Sequence, residues 1–458
     1  MTAISCAVDS LRVGAAFVTI TPAVGIAMQG YDRRCAEGIN DPLCASALAA
    51  GDDRLGWLLL SVDSIGLDRS FTNRVRKALA RRFELASSAI TIACSHTHSG
   101  PATLSELGPI AADAGYLGFL EERLATVAAM AVEKREAGRW RFGVASLAEN
   151  VNRRLRRHGK IEFLVDSRGP VDSRLRVIRI DRAASSPQEP PLALIVHYAC
   201  HATSSSDVLH ISADWPGVMR SVLRRVYGEN GEQPVICFLQ GCTGDLTHRI
   251  ARDRATWPQH FGAHTSLQSQ ILGRLAASAA LAASERSVAF SAENISATVE
   301  ALTLPFRGSS GSEETELQVI RIGPLTGKTA RARDAAWIIG LPGEPFTDYS
   351  TGLGRVFDRR LDADPDRVVV CGYTNDCVGY FCTPKALRLG GYEAAIAHQM
   401  YQRHAPFSAA TQAIMFDRSL AAAIKLIGSE STDQPSLFEA TLKSLNRWLP
   451  LRTRGSTS

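Results

Sequence analysis

Short apolar runs of strand length alternate with stretches whose apolar residues recur at helical spacing, and this pattern sets the first picture of the chain. Residues 12–22 read as a strand stopped at Pro22, which has no N–H for a sheet ladder. The runs 45–50 and 57–63, joined by the polar turn Gly51-Asp52-Asp53, predict a hairpin. Val75, Leu79 and Phe83 among arginines predict a surface helix over 71–85, leading into the apolar run 89–94. A second helix follows over 116–136. Strands are predicted at 140–145, 175–180 and 192–198, the last two joined by the Pro- and Ser-containing loop 183–191. Asp214-Trp215-Pro216-Gly217 opens a helix over 218–227, because proline fits a first turn whose N–H groups have no helical partner. A buried strand at 235–239 and an Ala/Leu-rich helix at 265–286 come next. Strands at 288–304 and 317–322 flank a polar insert, 308–316, expected to be mobile. Two more strands cover 335–341 and 368–373, and Gly390-Gly391-Tyr392-Glu393 opens a helix-like segment. Strands interleaved with helices predict an α/β fold: one large domain over residues 1–448, with mixed sheets flanked by helices, and a flexible basic tail at 449–458.

Composition narrows the class. The 458 residues are 45% apolar and 21% charged, enough for a large core, and the net charge of +5 is spread too evenly for a nucleic-acid surface. The densest basic run, Arg153-Arg154-Leu155-Arg156-Arg157, reads as a solvated loop. No run of about 18 apolar residues exists, so no transmembrane helix is expected. The N-terminus has neither a basic segment nor an apolar core of the signal type, which predicts a cytoplasmic protein with reduced thiols. Its ten cysteines include no C-x-x-C pair, which removes the common zinc-ribbon and thioredoxin signals.

The chemistry gathers where strands end. Ser95-His96-Thr97-His98-Ser99-Gly100-Pro101 follows the 89–94 run, and period-2 spacing puts both imidazoles on one side. Such a pair either binds a metal or hydrogen-bonds to backbone. His201 follows the 192–198 strand, Glu344 the 335–341 strand and Tyr380 the 368–373 strand. Two or three histidines with one carboxylate suit a catalytic zinc that keeps an open position. Neither H-E-x-x-H nor G-x-S-x-G occurs, so a zincin helix and a nucleophile elbow are both absent. A thiol nucleophile at Cys200 or Cys242 is the non-metal alternative. Asp63 sits at a strand end, where site and capping roles compete, and Asp214 and Asp245 are expected to be structural or to support ligands.

In order, the motifs Ile20-Thr21-Pro22, Gly30-Tyr31, Gly38-Ile39-Asn40-Asp41-Pro42-Leu43, Ser61-Val62-Asp63, His96-Thr97-His98-Ser99-Gly100-Pro101, Asn152-Arg153, His201, Asp214-Trp215-Pro216-Gly217, Gly244-Asp245, Pro342-Gly343-Glu344-Pro345, Gly379-Tyr380 and Gly391-Tyr392-Glu393 run through nearly the whole chain. This set resembles the catalytic domain of the neutral/alkaline, non-lysosomal ceramidases and their shorter bacterial relatives. The resemblance implies a zinc held by His96, His201, Glu344 and Tyr380, with His98, Arg153 and Tyr392 around the scissile amide. On that basis zinc and Tyr392 stabilise the developing oxyanion, Arg153 holds a polar end of the substrate, and His98 is either a further oxyanion donor or the acid for the leaving amine. The implied activity is zinc-dependent hydrolysis of an N-acyl amide, small-molecule or lipid-like; the alternatives are acyl transfer or ester cleavage on the same scaffold, or metal binding without catalysis. The chain departs from the family at Val18-Thr19-Ile20-Thr21-Pro22, where Asp-Ile-Thr is usual, and at the turn Gly244-Asp245-Leu246-Thr247-His248, which lacks the proline usual after it. It also shows no signal sequence or immunoglobulin-like C-terminal domain, which implies a substrate smaller and more polar than ceramide.

Overall fold

The structure, a computed structural model, describes residues 11–186, 189–205, 207–228, 233–249, 266–324 and 331–429. The expected boundary at 448 and the tail at 449–458 lie outside the described residues.

Two sheets lie face to face. The larger runs, in spatial order, through the strands Val235–Gln240, Ala193–Tyr198, Arg174–Arg182, Glu136–Ser146, Arg12–Thr19, Cys44–Gly51, Trp57–Val62 and Ile90–Cys94, with Val288–Ala289 paired to the side. The smaller runs through Asn294–Pro305, Ser312–Gly323, Ala336–Gly340 and Val368–Cys371. Strand alternation assigns each side chain to a layer. In Ala336–Gly340, Ile338 packs between the sheets with Leu59, Ile195 and Val369, while Trp337 and Ile339 face the helices Thr347–Leu361 and Ala410–Ser429. In Trp57–Val62, Trp57 and Leu59 face the second sheet, and Leu58 and Leu60 face the helices Arg69–Phe83 and Ala114–Glu133. At the other end of the large sheet, Leu194, Val196 and Tyr198 meet the helices Asp214–Tyr227 and Leu267–Glu285. The result is a helix–sheet–sheet–helix sandwich, the mixed α/β domain that the hydrophobic pattern predicts. No helix among the described residues is long and apolar enough to cross a membrane.

Most strand pairs are antiparallel, including the predicted hairpin Cys44–Gly51 with Trp57–Val62. Within the two large sheets three pairs are parallel: Trp57–Val62 with Ile90–Cys94, Ala193–Tyr198 with Val235–Gln240, and Ala336–Gly340 with Val368–Cys371. Each needs a crossover, which the helices Arg69–Phe83, Asp214–Tyr227 and Thr347–Leu361 supply. Their carboxyl ends are stitched together by backbone: Cys94 N–H donates to Tyr373 O, Gly372 N–H to Gln240 O, and Gly241 N–H to Tyr198 O.

Two expectations are corrected. The insert 308–316 is not a mobile loop: its second half begins the strand Ser312–Gly323, paired throughout with Asn294–Pro305. Glu314 and Glu316 alternate with buried Thr315 and Leu317, so the charge run is only the outer edge of a half-buried strand. The basic run 153–157 is not a solvated loop either. It belongs to the strand Asn150–Arg157, and Arg153 and Arg154 are buried because Glu393 accepts from both.

Candidate metal centre and active site

The strand Ile90–Cys94 ends before the histidines, and the chain then turns abruptly, with His96 at φ 61°. His96 and His98 therefore meet through a loop rather than through strand period. Their Nε2 atoms lie 3.2 Å apart, and His98 Nε2 is also 3.2 Å from His201 Nε2. His201 arrives from the end of Ala193–Tyr198, in a loop pinned by His98 N–H donating to Ala202 O. Glu344 Oε2 lies 3.4 Å from His96 Nε2. All four residues are buried.

The far side of each ring fixes its hydrogen. His96 Nδ1 lies 2.5 Å from Ile65 O, His98 Nδ1 2.9 Å from Gly30 O, and His201 Nδ1 3.3 Å from Thr243 O. A carbonyl only accepts, so each Nδ1 carries the hydrogen and each Nε2 presents a lone pair. For His201 the Arg153 Nη1 atom stands at nearly the same distance, 3.4 Å, so this ring's assignment rests on the Thr243 carbonyl alone. Three imidazole lone pairs and a carboxylate oxygen thus face one another, with the three imidazole donor atoms within 4.8 Å. No hydrogen lies between them, so this cluster calls for a cation, and its N/O donor set suits zinc.

Charge agrees with this picture. Burial pushes the His98 ring well below the usual imidazole range, with His96, Arg34 and Arg153 adding to the effect. The His201 ring is lowered by burial and by Arg153, His96 and His98. For Glu344 burial works toward a raised value, but the neighbouring His96, the hydrogen bond from Tyr401 and the Arg153 guanidinium outweigh it and hold the carboxyl below its ordinary range.

The other sequence-predicted residues lie around this cluster. A two-residue parallel bridge sets Tyr380 opposite Glu344. Tyr380 Oη accepts from Arg153 Nη2 at 3.2 Å, and its ring stands edge-on to Tyr392 at 6.0 Å between centroids. Arg153 also donates to Glu393 Oε1 at 3.0 Å and to Gly244 O at 2.8 Å, so its guanidinium is held from two sides. Burial and Glu344 push the Tyr392 phenol up to about 12, and the same two causes push the Tyr380 phenol well up from its ordinary value. His96, His98, Glu344, Tyr380 and Tyr392 line one pocket with an empty volume of about 450 Å³.

Three residues from the sequence reading lie apart from it. Asp214 accepts from Ser204 Oγ and from the N–H groups of Ser205 and Trp215, shaping the loop after His201. Asp245 accepts from Thr347 N and Oγ1 at 2.8 and 2.9 Å, at the start of the helix Thr347–Leu361. Asp63 forms a buried ion pair with Arg220. Cys200 and Cys242 are buried, with thiols pushed well up by desolvation, which is unfavourable for a nucleophile.

Sequence reasoning missed two phenols. Tyr401 Oη donates to Glu344 Oε1 at 2.5 Å, and Tyr373 Oη donates to Glu344 Oε2 at 3.3 Å while its ring stacks on His96 at 3.9 Å. Tyr373 stands at the end of a predicted strand, a signal that was available. Tyr401 has no comparable mark in the sequence.

A family model described as "Neutral/alkaline non-lysosomal ceramidase, N-terminal" matches residues 11–266, more than half of the chain. The chain belongs to this family. The fold of this ceramidase-family protein is also similar to a neutral ceramidase from Pseudomonas aeruginosa, with a TM-score of 0.72 and 16% identity, over 92% of this chain and 75% of that one. A second solved structure, described as a ceramidase complexed with C2, gives a TM-score of 0.70 at 16% identity, over 98% of this chain and 77% of that one. No curated protein sequence matches the chain.

Proposed function

We propose that this member of the ceramidase family is a zinc-dependent hydrolase of N-acyl amides. The observation that carries the reading is the set of converging lone pairs on His96, His98 and His201 beside the Glu344 carboxylate. The residues that would hold the ion are His96, His201, Glu344 and Tyr380, with His98 Nε2 beside both histidines. Zinc in such a set supplies Lewis-acid chemistry, acidifying water and polarising an amide carbonyl.

The chain's own residues supply the rest. His98 is neutral, with its Nδ1–H tied to Gly30 O, so its Nε2 accepts a proton from water and returns it to the leaving amine. This tautomer favours a base-then-acid role over that of an oxyanion donor. Tyr392, with its phenol pushed up to about 12, keeps its proton at neutral pH and donates a hydrogen bond to the developing oxyanion. Arg153, fixed by Glu393 and Gly244 O, holds a polar end of the substrate. None of the nine described cysteines is disulfide-bonded and eight are buried, which supports a reducing, cytoplasmic setting.

The test is elemental analysis and N-acyl amide hydrolysis on the wild type and on His96→Ala. About one zinc per chain, lost together with activity in the variant, supports the reading. Activity that survives chelation and dies with thiol alkylation sinks it.

A further inference from the structure

The apolar side of the pocket is formed by Leu107, Pro109 and Ile110, with Met400 against the same loop, where its carbonyl accepts from Gly108 N–H at 2.7 Å, and Ile65 beside His96. The first three lie on an irregular loop between the strand that leads to the histidines and the helix Ala114–Glu133. Such a loop has no ladder of its own to hold its shape. Gly108 N–H donates to Met400 O and Ser105 N–H to Asp68 Oδ2 at its edges, and one buried side chain braces its interior. Gln29 Nε2 donates to Leu104 O at 2.6 Å, Leu107 O at 3.1 Å and Ile110 O at 3.0 Å, and its Oε1 accepts from Thr103 N–H at 2.9 Å and Leu104 N–H at 3.0 Å. Three carbonyls around the nitrogen and two N–H groups around the oxygen admit only this orientation of the amide. The next residue, Gly30, carries the carbonyl that holds His98. A single dipeptide therefore sets both the apolar wall and the imidazole across from it.

We propose that Gln29 is a specificity-positioning residue: it fixes the 104–110 loop as a preformed wall that takes the acyl chain of the substrate and grades substrates by its length. The inference rests on the amide-hydrolase reading for the identity of the substrate. Each methylene buried on such a wall is worth about fourfold in affinity, so a rigid wall gives a steep dependence on chain length up to its end, and a loose one gives a shallow dependence.

Two measurements test this. The first compares kcat/KM for N-acyl amides of one amine with acyl chains of two, four, eight and twelve carbons, in wild type, Gln29→Met and Leu107→Ala with Ile110→Ala. The second titrates the same proteins with straight-chain carboxylic acids of four and eight carbons by calorimetry, which needs no turnover. Zinc content is measured for each and is expected to stay at the wild-type level. Gln29→Met is expected to compress the spread of kcat/KM across chain lengths by at least about tenfold, and the wall variant to shift the preferred length. A Gln29→Met profile parallel to wild type, or a wall variant with unchanged preference, overturns the proposal. If Gln29→Met does not fold, the wall variant alone decides. If wild type cleaves no amide yet binds the longer acid more tightly and the wall variant does not, the hydrolase reading fails while the wall assignment stands.

Discussion

Gly30→Ala isolates one contact at the candidate centre. Gly30 has φ +104°, and a Cβ placed there would lie 2.6 Å from His98 Nδ1, 2.7 Å from its Cγ and 2.9 Å from its Cβ. To regain the 3.4 Å of ordinary contact the ring must retreat by roughly 0.8 Å, and displacements near 1 Å cost on the order of 100-fold in catalysis. Movement also breaks the hydrogen bond from His98 Nδ1 to Gly30 O, and loss of such a partner lowers metal affinity or activity by about 10- to 100-fold. Backbone strain contributes separately, about 1–2 kcal/mol for an alanine forced into left-handed space. Gly25 supplies the control: its φ is +94°, and nothing lies within 4 Å of an added Cβ. Gly25→Ala therefore carries the strain without the collision. The assay is zinc affinity by chelator competition and kcat/KM on an N-acyl amide, with thermal melts of both variants. The expectation is similar melting for the two variants and a loss of about 10- to 100-fold in zinc affinity or turnover for Gly30→Ala alone. Equal zinc binding and turnover in both would refute the claim that Gly30 orients His98.

Other outcomes follow from the same geometry. His98→Gln keeps zinc at about one per chain and loses turnover by roughly 100-fold or more if His98 moves protons; loss of the metal makes it a ligand instead. Tyr401→Phe removes the donor at 2.5 Å from Glu344 and is expected to weaken zinc by about tenfold, read by chelator competition. His197, whose Nε2–H donates to Val370 O at 3.0 Å, is pushed down to about 3 by burial and by Arg176. The unfolded chain then binds the proton and the folded chain does not, so this residue's contribution is intact above about pH 6.5 and is lost as pH falls toward 3. Between pH 7 and 5 the wild type should lose about 2 kcal/mol more stability than His197→Gln, measured by urea unfolding at both pH values; equal losses would show that His197 titrates normally in the fold.

The layers were legible in the sequence because hydrophobic period reports burial directly. The runs 45–50, 57–63 and 335–341 each carry residues for two cores on alternate faces, and they read as buried strands. Parallel pairing was not legible, since it depends on which strands a helix joins. The 308–316 segment misled because the charges of a half-exposed strand look like those of a loop when its partner is unknown. The 153–157 run misled for a related reason: the carboxylate that permits burial, Glu393, is 240 residues away from Arg153 in the chain. At the centre, His96, His98, His201, Glu344, Tyr380 and Tyr392 stood out by strand-end position and motif. Tyr401 and Gln29 act through hydrogen bonds to distant chain and carry no local signature.

The candidate site belongs to the junction of the two sheets and to neither sheet alone. His96 and His201 come from parallel pairs at opposite ends of the large sheet, while Glu344 comes from the parallel pair of the small one. Gln240 Nε2 donates to Ser95 O across the large-sheet ends, and Gly244 N–H donates to Pro345 O across the gap between sheets. The spacing of the donor atoms is thus fixed by how Ile195, Leu59, Ile338 and Val369 pack between the layers. Dense interiors transmit displacement, so a volume change in that inner core reaches the histidines and Glu344 together. A change on the outer faces, at Leu223 or Leu353, meets a helix first and leaves the relative position of the two sheets to the inner layer. The geometry therefore makes the inner core, and not the helical shell, the part of the fold to which the metal centre is most sensitive.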